Sequence, residues 1–236
     1  MCYKSLTIGA ELAQECATKY NAEVQILVGD DDSATIKKVR ESVSHNVEKW
    51  SDINHAKKSF TTHLYAIQQK FKGQLSTKVI EYFVKCFGYA LAQNRNNAEG
   101  LKKSFQAIVP HAFGQHSEHC SITWCGFLKN PSSYHHGSLP HGKDLKGEEL
   151  QNELEKVMKL FIDSAEKLAP LGSSQANEAI NNTIGSKTPK IRHYGASESN
   201  DFRVACAVSQ KNLGHSYVST VRFSILILLN QAPLKV

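Results

Sequence analysis

The sequence predicts a mainly α-helical protein with a small α/β part near its N-terminus. Apolar residues recur at helical spacing from about residue 53 to residue 168. Only two segments, 22–28 and 46–50, have the short pattern typical of strands. A length of 236 residues with 41% hydrophobic residues can bury the core of one domain, or of one domain that carries a sizeable insertion.

The composition excludes several classes of protein. With 14 glycines, 6 prolines and apolar residues throughout, the chain is neither collagen-like nor disordered. Because no apolar run reaches about 18 residues, we expect no membrane-spanning helix. The N-terminus lacks the basic start and apolar run of a signal peptide. The net charge of +6 permits a polyanionic partner without requiring one.

The first 50 residues are predicted to alternate between helix and strand. Residues 5–20 have near-helical apolar spacing, and residues 22–28 suit a buried strand. An acidic turn then leads into a helix that carries Ile36, Val39 and Val43. Residues 46–50 are a second short strand.

The remaining chain is predicted to be helical around one irregular loop. Apolar stripes indicate a helix over 53–71 and a second helix that starts at Ser76. A third helix follows Gly147 and continues to Leu168, and Pro170 and Gly172 end it. The stretch 110–146 is rich in Pro, Gly, His and Ser and should be irregular. Further elements are a helix over 173–187, a polar linker to 200, a short helix over 201–212 and an unassigned tail over 219–236.

The acidic turn is the first candidate site. Asp30, Asp31 and Asp32 follow a predicted strand, and their combined charge would favour a hard divalent cation such as Mg²⁺. The alternative is that Asp31 and Asp32 only cap the next helix and that Asp30 is a turn residue.

The helix that follows Gly172 is the second candidate. Its polar side carries one carboxylate, Glu178, among amides such as Asn177 and Asn181. This composition differs from the usual mixture of Lys and Glu on a solvated face, and it suits contact with a metal or phosphate. An amide-rich surface helix is the alternative.

The third candidate is a group of histidines and cysteines in the irregular loop. Two imidazoles and two thiolates, from His111, His116, Cys120 and Cys125, could close a tetrahedral zinc site and fasten a loop that lacks its own core. The spacing is looser than in a zinc finger, so reduced thiols beside surface histidines are the alternative. The absence of a signal peptide disfavours a disulfide framework for the six cysteines.

Other chemistries lack their motifs. The sequence contains no Gly-x-Ser-x-Gly elbow, no Gly-x4-Gly-Lys-Ser/Thr loop and no Gly-x-Gly-x-x-Gly fingerprint. Serine hydrolases of the α/β type, P-loop NTPases and dinucleotide-binding enzymes are therefore disfavoured.

Several segments, taken in order, resemble motifs of Mutator-like DNA transposases, and Kolobok-type relatives are similar. The main segments read VGDDDS (28–33), EKWSDINH (48–55) and GSSQANEAINN (172–182). The match also includes FGQH (113–116) with Cys120 and Trp124-Cys125, and SNDFR (199–203). The resemblance covers about residues 5–218.

The resemblance implies an RNase H-like fold whose acidic Asp-Asp-Glu set holds Mg²⁺ or Mn²⁺. It implies that Asp30 is the second acid, with Asp32 as its companion or substitute, and that Glu178 is the third. Asp52 and His55 match the family's Cys/Asp-x-x-His signature and would support the site. DNA is the implied partner and the nucleus the implied location, and self-association is compatible with both.

The first catalytic Asp of the family has no counterpart in this sequence, because in the family it lies upstream of the segments that match. We therefore expect an incomplete, N-terminally truncated RNase H-like fold with two short strands and a long helical insertion. Such a chain should not cleave DNA alone. The alternatives are a nucleic-acid- or partner-binding helical module without catalysis and a purely structural zinc-bound domain. The expected parts are a partial RNase H-like part (1–52), a helical insertion (53–170) with its His/Cys-rich loop (110–146), a catalytic-type helix segment (171–218) and the tail (219–236).

Overall fold

A computed structural model describes residues 2–30, 32–116, 119–189, 198–216 and 218. Its described residues are mostly helical, with a two-stranded parallel sheet, as the sequence predicts. The elements in chain order are α1 (Cys2–Tyr20), β1 (Ile26–Gly29), α2 (Ser33–Ser42), β2 (Glu48–Ser51), α3 (Ile53–Lys70), α4 (Thr77–Gln93), α5 (Ala98–Ala112), α6 (Gly126–Lys129), α7 (Glu148–Asp163), α8 (Ala165–Leu168), α9 (Gln175–Lys187) and α10 (Glu198–Leu213).

The chain divides into two units, Met1–Ser173 and Ser174–Val236. In the first unit, β1 and β2 pair in parallel with Val28 opposite Trp50. Helix α2 connects the two strands, and a small apolar cluster of Ala13, Ile36, Val39 and Val47 joins α1 and α2 to the sheet. The sheet and its two helices thus form the predicted α/β part.

The larger core of the first unit lies among helices α3, α4, α5, α7 and α8. Phe87 is central to this core because its ring stacks on Phe60 at 4.5 Å and on Phe105 at 4.8 Å between ring centroids. Phe161 of α7 meets the rings of Phe60 and Phe87 edge-on. Aromatic pairs of these kinds add to the free energy gained from apolar burial. The stripes predicted for α3, α4 and α7 therefore meet in one core.

Several predicted boundaries differ from the structure. Strand β1 begins at Ile26 instead of Ala22, and Ile26 is 40% exposed, so the strand is not fully buried. Its only described partner, β2, has four residues, which limits the ladder to that length. The predicted third helix stops at Asp163, and Ser164 separates it from α8. This break allows Ala165 and Leu168 to enter the core. The irregular loop begins after Ala112, since α5 continues past Pro110.

The second unit contains α9 and α10, which pack against each other. Arg203 Nη1 donates a hydrogen bond to the carbonyl oxygen of Lys187 at 2.8 Å, and Ala207 is buried. Helix α10 begins at Glu198, so the predicted linker to residue 200 is too long. The unassigned tail 219–236 lies outside the described residues. In the part of the chain that is described, no helix is both long and apolar enough to cross a membrane.

Candidate functional site

The four predicted zinc ligands come together at the end of α5. His111 lies in the last turn of α5, and Cys125 precedes the short helix α6. Between them, Gly114 adopts a φ of +74°, a left-handed conformation that suits glycine. The backbone N–H of Gln115 then donates to the carbonyl oxygen of Pro110 at 2.9 Å. This reversal of the chain directs His116 back toward His111.

Four of the six distances between the ligand atoms are close to those of a tetrahedral metal site, and all four atoms lie within 4.8 Å of one another. The Nδ1 atoms of His111 and His116 are 3.2 Å apart. Cys125 Sγ lies 3.8 Å from His111 Nδ1 and 3.5 Å from His116 Nδ1, and Cys120 Sγ lies 3.7 Å from His111 Nδ1. A tetrahedral zinc ion, with Zn–N of about 2.0 Å and Zn–S of about 2.3 Å, sets its ligand atoms roughly 3.3–3.8 Å apart. The cluster can therefore hold a metal ion such as zinc.

One assignment of a chain of hydrogen bonds leaves the Nδ1 atom of His111 available as a ligand. His136 Nε2 lies 2.8 Å from the carbonyl oxygen of His111, so this nitrogen carries the proton. His136 Nδ1 can then accept from the hydroxyl of Tyr134 at 3.2 Å, and the Tyr134 oxygen accepts from His111 Nε2–H at 3.2 Å. In this assignment His111 Nδ1 keeps a free lone pair that faces the cluster. Such outer partners orient metal-binding histidines in many proteins.

The surroundings of the cluster also favour neutral imidazoles. Burial, with a smaller contribution from His136 and His116, lowers the pKa of His111 to about 4. Burial also lowers the pKa of His116. Since only the unprotonated nitrogen binds a metal, both shifts favour the ligand form at neutral pH. The ring of His116 stacks on Phe127 with 3.9 Å between centroids, which holds its plane.

The predicted acidic site lies at the carboxyl ends of the two strands. Asp30 directly follows β1, and its Oδ1 lies 2.5 Å from His55 Nδ1 in the first turn of α3. Asp52 directly follows β2, is only 1% exposed, and caps α3 by accepting from the backbone N–H groups of Asn54 at 2.7 Å and His55 at 2.9 Å. The structure therefore brings Asp30, Asp52 and His55 together at one edge of the sheet.

Asp32 is the N-cap of α2. Its carboxylate accepts from the backbone N–H of Ala34 at 2.9 Å and from the hydroxyl of Thr35 at 2.6 Å. These hydrogen bonds lower the pKa of Asp32, and the hydrogen bond from Thr35 contributes most. The capping interpretation of Asp32 is thus confirmed, whereas Asp31 lies outside the described residues.

The family comparison matches a model described as Mutator-like transposase to residues 5–125, about half of the chain. The chain belongs to the Mutator-like transposase family. No curated protein matched the chain in a second search, and no solved structure matched it in a third. DNA is the partner that membership of a transposase family implies.

The matched region of this Mutator-like transposase contains both sites described above. It begins in α1 and ends at Cys125, the last of the four metal-type side chains. Glu178 lies beyond it, exposed on α9 in the second unit, with Ser174 Oγ 3.4 Å from its Oε1. Asn177 and Asn181 are also exposed on α9, which agrees with the predicted polar side. The metal role of Asp30, Asp32 and Glu178 stays a prediction.

Sequence reasoning missed the outer partners of the metal cluster. Tyr134 and His136 reach His111 from 23 and 25 residues further along the chain. The sequence signal is the density of histidines in the loop, which also contains His135, His136 and His141. His136 contacts a backbone oxygen, while His135 and His141 are exposed.

Proposed function

We propose that this chain contributes an RNase H-like Asp-Asp-Glu active site to a Mutator-like, Kolobok-related transposase, with Asp30 as the second acid and Glu178 as the third. The observation that carries the proposal is the contact between Asp30 and His55 at the carboxyl end of a parallel strand. In α/β sheets, ligands bind outside the carboxyl ends of the strands. A family whose members act on DNA makes a phosphodiester the natural ligand for this edge.

The residues at the acidic edge of the sheet, Asp30, Asp52 and His55, have different roles in this proposal. Asp30 offers carboxylate oxygens to a divalent cation, Mg²⁺ or Mn²⁺, and His55 orients that carboxylate. Asp52 fixes the first turn of α3 and therefore the position of His55. Asp30 and Glu178 would hold such cations, which would supply the charge that activates the attacking oxygen and stabilises the leaving oxygen during in-line displacement at phosphorus. Because Asp32 already caps α2, we assign it a secondary role beside Asp30.

We also propose that the 236-residue chain does not cleave DNA by itself. The resemblance assigns the first catalytic Asp to no residue of this sequence, and a set with two acids would bind the cation pair weakly. The zinc cluster has a separate role: with four protein ligands and no open position, it would be structural. We place the protein in the nucleus, where its DNA substrate is, and regard self-association as compatible with the proposal.

The test combines Mn²⁺ titration with a nicking assay on supercoiled plasmid. We expect Mn²⁺ binding to the wild type and its loss in Asp30→Asn, with no change in Asp163→Asn, an exposed aspartate on α7. Nicking should be absent with Mg²⁺ or Mn²⁺. Robust nicking that Glu178→Gln abolishes would disprove the proposed inactivity and support the role of Glu178. Unchanged Mn²⁺ binding in Asp30→Asn would disprove the acidic site.

A DNA-binding helical module without catalysis is the second candidate function. The His/Cys cluster favours it, because a metal ion bound there would fasten a long loop to the helical core. This function predicts that the protein binds DNA in a buffer that contains neither Mg²⁺ nor EDTA. The affinity for DNA should fall steeply between 50 and 200 mM salt, as expected for about six or more phosphate contacts.

A further inference from the structure

A cavity of about 160 Å³ opens between α4, α5 and the loop that holds the metal cluster. Helix α4 contributes Tyr82, Cys86, Tyr89 and Gln93, which recur at helical spacing on one face. Helix α5 contributes Ser104, Ile108 and His111, and the loop contributes Trp124. The cavity is distinct from the acidic edge of the sheet, and the proposed function does not use it.

The lining of the cavity is aromatic and carries no lysine, arginine, aspartate or glutamate. Tyr89 is 65% exposed and Trp124 is 40% exposed, so both rings stand at the rim. Tyr82 is buried at the inner end. Flat apolar walls with exposed aromatic faces favour a flat, uncharged ligand over a phosphate or a metal ion.

The rim also carries polar groups that can form hydrogen bonds with the edge of such a ligand. Among the described residues, the Gln93 side-chain amide has no hydrogen-bond partner, and it provides both a donor and an acceptor. Ser104 Oγ accepts from Asn94 Nδ2 at 2.9 Å, which leaves the Ser104 O–H free to donate. Donors and acceptors next to aromatic faces are the groups by which proteins hold an unstacked base.

We propose that this cavity binds a single nucleobase unstacked from DNA. This inference depends on the DNA partner of the proposed function. It states that the helical insertion holds one unpaired base of that DNA. Stacking on Tyr89 and Trp124 would supply most of the affinity, and Gln93 and Ser104 would contact the edge of the base. The attached phosphates would remain outside the uncharged lining.

Basic side chains lie close to the two rim residues in the chain. Lys129 Nζ donates to the carbonyl oxygen of Thr123, the residue before Trp124. Lys85 is exposed on α4 one turn before Tyr89. A positive surface next to a stacking platform is the arrangement by which proteins bind unpaired nucleotides.

Base binding should depend on the metal cluster. His111 belongs both to the cluster and to the cavity wall, and its ring meets that of Trp124 edge-on at 5.1 Å between centroids. Cys125, a candidate ligand, directly follows Trp124 in the sequence. A bound zinc ion would therefore hold the Trp124 wall of the cavity in place.

The test compares three fluorescein-labelled duplexes by anisotropy: one fully paired, one with a single bulged adenosine, and one with an abasic bulge. Zinc-loaded wild type should bind the bulged adenosine about tenfold more tightly than the abasic bulge, which is within the range measured for base–aromatic stacking. Trp124→Ala and Tyr89→Ala should each remove most of this difference. Tyr65→Ala, an exposed tyrosine on α3, should preserve it.

Three results would overturn the proposal. Equal affinity for the adenosine and abasic bulges, with salt-sensitive DNA binding intact, would disprove the base site and leave the proposed function standing. Preserved discrimination in Tyr89→Ala, whose exposed side chain is not needed for folding, would place the base elsewhere. Failure to bind any of the three duplexes would disprove both proposals. Zinc content measured on each variant separates loss of the cavity from loss of the metal.

Discussion

At the scale of single residues, Asp52 connects the fold to the acidic site. Its buried carboxylate satisfies two backbone N–H groups at the start of α3, one of which belongs to His55. We predict that Asp52→Ala lowers the free energy of unfolding by about 1–2 kcal/mol, the cost of losing a strong N-cap. In a domain of this size the melting temperature should fall by roughly 2–8 °C. Urea and thermal denaturation would measure both quantities.

Asp52→Asn is the matched control, because asparagine caps helices about as well as aspartate. It should keep most of the stability that Asp52→Ala loses. The exposed cap of α2 offers a second comparison, and Asp32→Ala should cost less than Asp52→Ala because water can replace the lost contacts. An Asp52→Ala variant as stable as the wild type would show that the cap contributes nothing.

Individual side chains also show what the sequence could predict of the two sites. His111, His116, Cys120 and Cys125 could be predicted together, because all four lie within the short segment 111–125. The outer partner Tyr134 could not, since it lies 23 positions after His111 and reaches it only through the folding of the residues between them. Asp30 could be predicted from the turn alone, whereas a supporting role for His55 followed only from the family resemblance, and its contact with Asp30 is seen only in the structure.

At the scale of elements, the loop between α5 and α7 depends on its metal-type side chains. Its described residues form only short helices and turns, and few of them are buried, among them Cys125, His136 and Leu139. A metal bound to the folded form alone adds about 4 kcal/mol when its free concentration is 1,000 times the dissociation constant. We predict that zinc raises the melting temperature by roughly 8–16 °C and that one zinc ion binds per chain.

Cys125→Ser should lose the bound zinc and most of this stabilisation. Cys206→Ser, which removes a cysteine of α10 in the second unit, should keep both. Elemental analysis after dialysis, together with melting curves with and without a chelator, would measure the two effects. Full zinc retention in Cys125→Ser would contradict the assignment of this ligand.

The elements differ in how far the sequence determines them. Helices α3 and α4 were predicted well, because each has a continuous apolar stripe and a polar residue at its N-cap, Asp52 or Ser76. The break at Ser164 was not, because the stripe continues through it and only the packing of Ala165 and Leu168 requires it. Strand β1 is short because its pairing partner is short, and an apolar segment does not reveal its partner's length.

At the scale of the whole molecule, the apolar core of the described residues lies almost entirely in one unit. Among the residues that the structure describes, every buried hydrophobic one except Ala207 belongs to Met1–Ser173, and so do the metal cluster and Asp30. A unit with its own core can fold by itself. We therefore predict that a fragment of residues 1–173 folds, binds one zinc ion and unfolds in a single cooperative transition.

The fragment also separates the functions proposed for the two units. The fragment retains Asp30, His55 and the base cavity, so it should keep the preference for a bulged adenosine. Because it lacks Glu178 and α9, it should bind Mn²⁺ more weakly than the full chain. Anisotropy and Mn²⁺ titration on the same preparation would measure both. Glu178→Gln in the full chain should weaken Mn²⁺ binding as the deletion does, since the missing carboxylate is the same. If the fragment binds Mn²⁺ as tightly as the full chain, Glu178 does not share a cation with Asp30.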